Sequence, residues 1–171
     1  MSETERDPAL PPLPPATDQP RIFLAVVDES AEMNLALYYA CLRARRTGGR
    51  VALLQVIEPG EFQHWMSVGN LMRDEARQEA EKRLQRWAGE VQKLTNQMPI
   101  LYLRDGNRRD ELLALLDEDP SISILVLAAS TSGSGPGPLV SALTGKFLSR
   151  LRVPLTLVPD NLTEEELASI T

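Results

Sequence analysis

The chain has 171 residues, 43% apolar and 25% charged, enough for one globular domain with tails, and a domain of this size buries roughly 70% of the surface its unfolded chain exposes. Its 18 Lys and Arg against 24 Asp and Glu leave a net charge of −6, which argues against a broad basic face for nucleic acid or anionic lipid. A single cysteine, Cys41, and a single histidine, His64, exclude an intramolecular disulfide and any site built on two histidines of one chain; no apolar run approaches the roughly 18 residues of a membrane span, so the expectation is a soluble, cytoplasmic protein.

Residues 1–20, MSETERDPALPPLPPATDQP, are rich in proline, lack the apolar side chains for a core, and read as an extended, disordered tail. Arg21–Asp28, RIFLAVVD, is a short apolar, β-branched run of the kind that forms a strand buried on both faces of a parallel sheet. Ser30 is placed to cap a helix over about 31–47, which brings Met33, Leu37, Ala40, Cys41 and Ala44 to one face and stops at Gly48-Gly49. On that face Cys41 is a small buried apolar residue. Arg50–Ile57, RVALLQVI, is the second strand, and the crossover between the two strands must be right-handed and the strands parallel.

A longer connection over residues 61–70 contains His64-Trp65-Met66. With no partner nucleophile or second histidine, hydrophobic capping is the reading for it rather than catalysis. From about 71 to 95, Ala76, Ala80, Leu84, Trp87, Val91 and Leu94 recur at steps of three and four, predicting an amphipathic helix packed on the sheet, with Glu79 and Arg83 set for an i, i+4 pair. Residues 98–104, MPILYLR, form a third strand, and Arg108–Glu118 a short helix ended by Asp119-Pro120. Arg104, Arg108 and Arg109 cluster at that strand end and read as a solvated group balancing local acids, with an anionic ligand as the other reading.

The fourth strand, over 123–128, leads into Ser130-Thr131-Ser132-Gly133-Ser134-Gly135-Pro136-Gly137-Pro138. A helix over about 139–151 and a strand over 153–158 complete the alternation. Residues 161–171 read as a terminal helix capped by Thr163, with Glu164, Glu165 and Glu166 in its first turn. Five strands alternating with four helices predict a doubly wound parallel α/β domain. In such sheets ligands sit outside the carboxyl ends of the strands, so the small-residue loop 129–138 is the candidate site.

Three features in register resemble the universal stress protein family. The first strand ends in Asp28-x-Ser30, the second carries Leu54-x-Val56, and the last begins Val153-Pro154-Leu155; Gly106 falls where the family has a glycine after its third strand. The resemblance covers about 21–159 and leaves both tails, 1–20 and 160–171, outside. It implies a five-stranded parallel sheet in the order 3-2-1-4-5 with helices on both faces, and association of two copies through the last strand, whose Leu155 and Leu157 would form an apolar edge bracketed by Pro154 and Pro159.

ATP-binding members of the family carry G-x2-G-x9-G-[S/T] at the phosphate site. Counted back from Val153-Pro154, its glycines fall on Ala128, Thr131 and Ser141 and its hydroxyl on Ala142, and none matches. Side chains at these positions hinder close approach of backbone N–H groups to phosphate, and Pro136 and Pro138 each remove a donor. Gly145-Lys146 does not complete a Walker A loop, since Val140 and Phe147 replace its first glycine and its magnesium-binding hydroxyl; Lys146 reads as a solvent-facing lysine.

The expectation from the resemblance is therefore a non-enzymatic stress-response or regulatory protein acting as a homodimer, with other protein partners open and a degenerate nucleotide site. The alternative is a sensor of ATP or AMP, with magnesium, in which Asp28 bonds the ribose or base, Val56 packs on the adenine, and the loop from Ala128 through Ser130 and Thr131 to Ser141 and Ala142 holds phosphates. Ser141 also reads as a plain helix N-cap.

Overall fold

The computed structural model describes residues 10–59 and 69–171. Residues 10–20 are exposed and outside regular secondary structure. Residues 1–9 and most of the connection holding His64 and Trp65 lie outside the described residues. The elements run β1 (Ile22–Val27), α1 (Met33–Thr47), β2 (Arg50–Ile57), α2 (Gly69–Thr95), β3 (Ile100–Asp105), α3 (Arg108–Glu118), β4 (Ile122–Ala129), α4 (Pro138–Thr144), β5 (Leu155–Pro159) and α5 (Glu164–Ile170).

All five strands are parallel, in the order β3-β2-β1-β4-β5. Alternation along each strand sends side chains to opposite faces. Phe23, Ala25, Val27, Val51 and Leu53 pack under α1 and α2 with Cys41, Leu84, Val91 and, from α5, Leu167. Leu24, Val26, Ala52, Leu54 and Val56 face the other way, against α3 and α4 through Leu112, Leu115, Val140 and Leu143. Each face is thus a separate apolar layer, which is why β1 and β2 read as nearly unbroken hydrophobic runs. Burial pushes the Cys41 thiol up to about 12, as for an inert core residue.

One irregularity lies at the start of the central pairing: β1 and β4 shift register between Ile22 and Phe23, whose partners are Ile122 and Ile124. The intervening Ser123 hydroxyl accepts the Ile22 N–H at 3.1 Å. A side chain thereby replaces a missing backbone acceptor.

Local departures from the expected pattern have local causes. Ser30 does not cap α1: its N–H and hydroxyl both go to Asp28 Oδ1, at 2.8 and 2.6 Å, forming a turn that competes with the cap, and α1 starts at Met33 after Glu32. The single helix expected over 139–151 splits. α4 ends at Thr144, Gly145 adopts φ −108°, ψ −115°, and a separate 3-10 turn spans Leu148–Arg150; the apolar period continues through the break, but glycine carries no propensity to hold the helix across it. Arg83 does not pair with Glu79. It meets Glu29 at 2.6 Å, while Glu79 takes Lys82 at 3.4 Å.

The C-terminal segment is part of the domain's packing. Thr163 and Glu166 form a reciprocal capping box, with Glu166 N–H donating to Thr163 Oγ1 at 3.1 Å and Thr163 N–H to Glu166 Oε2 at 2.8 Å. This starts α5 sharply and lays it on α1, where Leu167 is 1% exposed.

Candidate functional site

A cavity of about 490 Å³ opens at the carboxyl ends of β1, β2 and β4, at the point where the chain order reverses between β1 and β4. That is where doubly wound sheets take ligands, and the volume lies in the range of small-molecule pockets. Asp28 and Val56 line it from the ends of β1 and β2, and Ala128 and Ser130 from the end of β4. Thr131, Ser141 and Ala142 are not among its lining residues. Ser141 is no N-cap either: it is the fourth residue of α4, its N–H bonded to Gly137 O at 2.9 Å, and Gly137 is the cap.

The walls carry charge that the sequence pattern did not reveal. Glu29, Glu32 and Glu79 join Asp28 on the lining, against Arg83 and Arg108 among the described residues. Both arginines have acidic partners, Arg83 with Glu29 at 2.6 Å and Arg108 with Glu58 at 4.0 Å, the latter reinforced by the Arg108 N–H donating to Glu58 Oε1 at 3.0 Å. The remaining members of the arginine cluster are also locally balanced. Arg104 pairs with Glu118, and Arg109 pairs with Asp110 at 2.8 Å and stacks 4.2 Å from the centroid of Phe147.

Gln55 is the buried polar residue of the wall, 3% exposed. With its amide in the orientation its neighbours require, it donates to Ala80 O and accepts from Arg83 Nη1, both at 3.0 Å. The signal was present in the sequence as the one polar residue inside RVALLQVI. Its partners, on a helix 25 and more residues later, were not.

Four N–H groups of the loop after β4 are bonded within the chain. Ser130 N–H donates to Pro136 O at 3.2 Å and Gly135 N–H to Ser132 O at 3.2 Å, while Ser132 N–H reaches Ser130 Oγ at 3.3 Å. Thr131 gives both its N–H, at 2.9 Å, and its hydroxyl, at 2.5 Å, to Asp160 Oδ1. These bonds, the Thr131 hydroxyl foremost, hold the Asp160 carboxyl below the usual carboxylate range. Gly135 and Gly137 sit at φ 94° and 106°, conformations that side-chain-bearing residues rarely adopt. Pro138 is the first residue of α4, so the helix start offers no N–H there. A polyphosphate needs several free backbone donors at this place; those of Ser130, Thr131, Ser132 and Gly135 are taken, and Pro136 and Pro138 have none. Among the described residues no cluster of three or more His, Cys, Asp or Glu is arranged to hold a metal ion.

Structures of similar shape are universal stress proteins and their like. The chain matches universal stress protein UspA from Lactobacillus plantarum with a TM-score of 0.67 and 16% identity over 83% of this chain and 99% of that one. It matches the hypothetical protein MJ0577 at 0.69 and 15%, over 85% and 99%, and a universal stress protein in complex with cAMP at 0.56 and 15%, over 82% and 98%. At such identities the likeness shows the fold. A comparison with curated proteins gives no match. The family model described as "Universal stress protein family" matches residues 20–159, the whole of the sheet and its helices up to the last strand, and the chain belongs to that family.

Proposed function

We propose that this chain is a non-enzymatic stress-response or regulatory protein of the cytoplasm that acts as a homodimer, with a nucleotide-class cavity degenerate at its phosphate end. The observation that carries the reading is the loop after β4, whose Ser130, Thr131, Ser132 and Gly135 N–H groups are all bonded within the chain. The cavity itself persists, and the solved universal stress protein in complex with cAMP shares the fold, which supports a nucleoside-like occupant. Leu155 and Leu157 lie on β5, at the edge of the sheet, and an apolar edge favours pairing with a second copy.

A second reading, a sensor of ATP or AMP, draws on the presence of Asp28, Val56, Ala128 and Ser130 around one cavity. Thermal melting with and without Mg-ATP and AMP separates the two. A ligand at about one hundred times its Kd stabilises by about 2.7 kcal/mol, a shift of about 5 to 10 °C for a domain of this size. The first reading expects no shift with millimolar Mg-ATP and a dimer mass in light scattering; a shift of that size with Mg-ATP replaces it by the second.

A further inference from the structure

We infer that Arg108 is the cavity's receptor for a single phosphate group, so that a nucleoside monophosphate is held with its phosphate at the start of α3 and not at the loop after β4. The inference rests on the reading of the cavity as nucleoside-class and adds where a phosphate is held and how many the site accepts.

Arg108 is the first residue of α3 and lines the cavity. Its Nε is buried with no hydrogen-bond partner among the described residues, and its Nη2 stands 4.0 Å from Glu58 Oε2, beyond hydrogen-bond reach. Glu58 spends its other oxygen on the Arg108 backbone N–H, at 3.0 Å. A partly buried guanidinium with donors unspent is unfavourable, and its planar fork matches two oxygens of one phosphate. Arg83, the other arginine of the lining among the described residues, already holds Gln55 and Glu29.

The strand order sets this arginine apart from the loop. Arg108 follows β3, Glu58 follows β2 and the loop follows β4, with β1 between β2 and β4. A phosphate at Arg108 therefore needs none of the loop's N–H groups. The acids of the lining do not cancel the attraction. Asp28 Oδ1 accepts the N–H and hydroxyl of Ser30, Glu29 pairs with Arg83 and Glu79 with Lys82, and both glutamates are largely exposed, so solvent and salt screen them. They do limit it: one guanidinium balances one phosphate, and the further phosphates of ATP would meet Asp28, Glu32 and Glu79 with no second unpartnered arginine among the described lining residues.

The test is calorimetric titration of the full chain with adenosine, AMP, Mg-ATP and inorganic phosphate, in the natural sequence and in Arg108→Gln, Glu58→Gln and Ser130→Ala. In the natural chain AMP is expected to bind at least tenfold more tightly than each of the other three. Arg108→Gln is expected to remove the preference for AMP over adenosine with the adenosine affinity held. Glu58→Gln keeps an acceptor for the Arg108 N–H and takes away the competing charge. It is expected to widen the preference, which a merely structural role of the arginine would not do, and it serves as the test if Arg108→Gln does not fold. Ser130→Ala probes the rival location at the loop after β4. AMP no tighter than adenosine in the natural chain, or a preference lost in Ser130→Ala but kept in Arg108→Gln, overturns the role of Arg108 while leaving the cavity reading intact. Mg-ATP binding as tightly as AMP overturns the limit to one phosphate. Inorganic phosphate binding as tightly as AMP, and lost in Arg108→Gln, keeps Arg108 as the receptor and overturns the nucleoside class. Absence of binding by all four ligands in every variant overturns both.

Discussion

Arg83 bridges Gln55 and Glu29: one guanidinium nitrogen donates to the buried amide oxygen of Gln55 at 3.0 Å, and another meets the Glu29 carboxylate at 2.6 Å. The contact ties the middle of α2 to β2 and to the turn after β1, along one wall of the cavity. Arg83→Ala leaves a buried acceptor without its donor and is expected to cost about 1 to 3 kcal/mol. Glu29→Gln removes only the exposed partner and is expected to cost under about 1 kcal/mol. Urea melts of the two variants check the order; equal losses would place the energy in the ion pair and not in the amide.

Tyr102 on β3 donates its hydroxyl to Asp119, the residue that ends α3. Burial first and then Asp119 push the phenol up to about 12, and the Ser121 hydroxyl, followed by Tyr102, holds the Asp119 carboxyl below its usual range. The stability that the phenol contributes is complete below its unfolded pKa of about 10 and is lost as pH rises toward 12; the Asp119 contribution is present above about pH 3.9 and is lost as pH falls through its lowered value. Spectroscopic titration is expected to show Tyr102 ionising late. Tyr102→Phe is expected to cost about 1 kcal/mol, or about 2 to 4 °C in Tm, and to abolish the late step.

Gly48 and Gly49 are adjacent and favour glycine for different reasons. Gly48 ends α1 at φ 67°, with open space where a Cβ would stand; Gly48→Ala meets only the left-handed penalty, about 1 to 2 kcal/mol. A Cβ on Gly49 would lie 2.5 Å from the backbone oxygen of Arg21, which cannot move without shifting β1. Gly49→Ala is therefore expected to destabilise more than Gly48→Ala in thermal melts, and a smaller loss would show that the start of β1 yields easily.

Leu157 is 38% exposed on the edge strand β5. Light scattering is expected to give about twice the 18.9 kDa chain mass for the natural protein, and the chain mass for Leu157→Lys, since a charged edge resists pairing. A monomer mass for the natural chain across a concentration series would remove the dimer from the proposed function.

The fold was legible because its central strands are continuous apolar runs and its helices carry plain stripes. Met33, Leu37, Ala40, Cys41 and Ala44 are all buried, as their spacing demands. What was illegible is the choice of partner. Glu79 and Arg83 satisfy a helical pairing rule, yet Glu29 wins because the fold brings it within 2.6 Å. The break at Gly145 lies inside an apolar period that continues beyond it. The bond between Thr131 and Asp160 spans 29 residues, and no local pattern announces it.

The central strand waits for its second neighbour. β1 pairs on one side with β2, some 28 residues on, and on the other with β4, where Ile22 meets Ile122, one hundred residues later. During vectorial synthesis the β3-β2-β1 half of the sheet emerges first with the open edge of β1 unpaired, and α1 remains without the Leu167 contact of α5 until α5 itself is made. A chain stopped before β4 would present that apolar edge as a template for other chains, so premature termination is expected to yield aggregate where the finished protein folds.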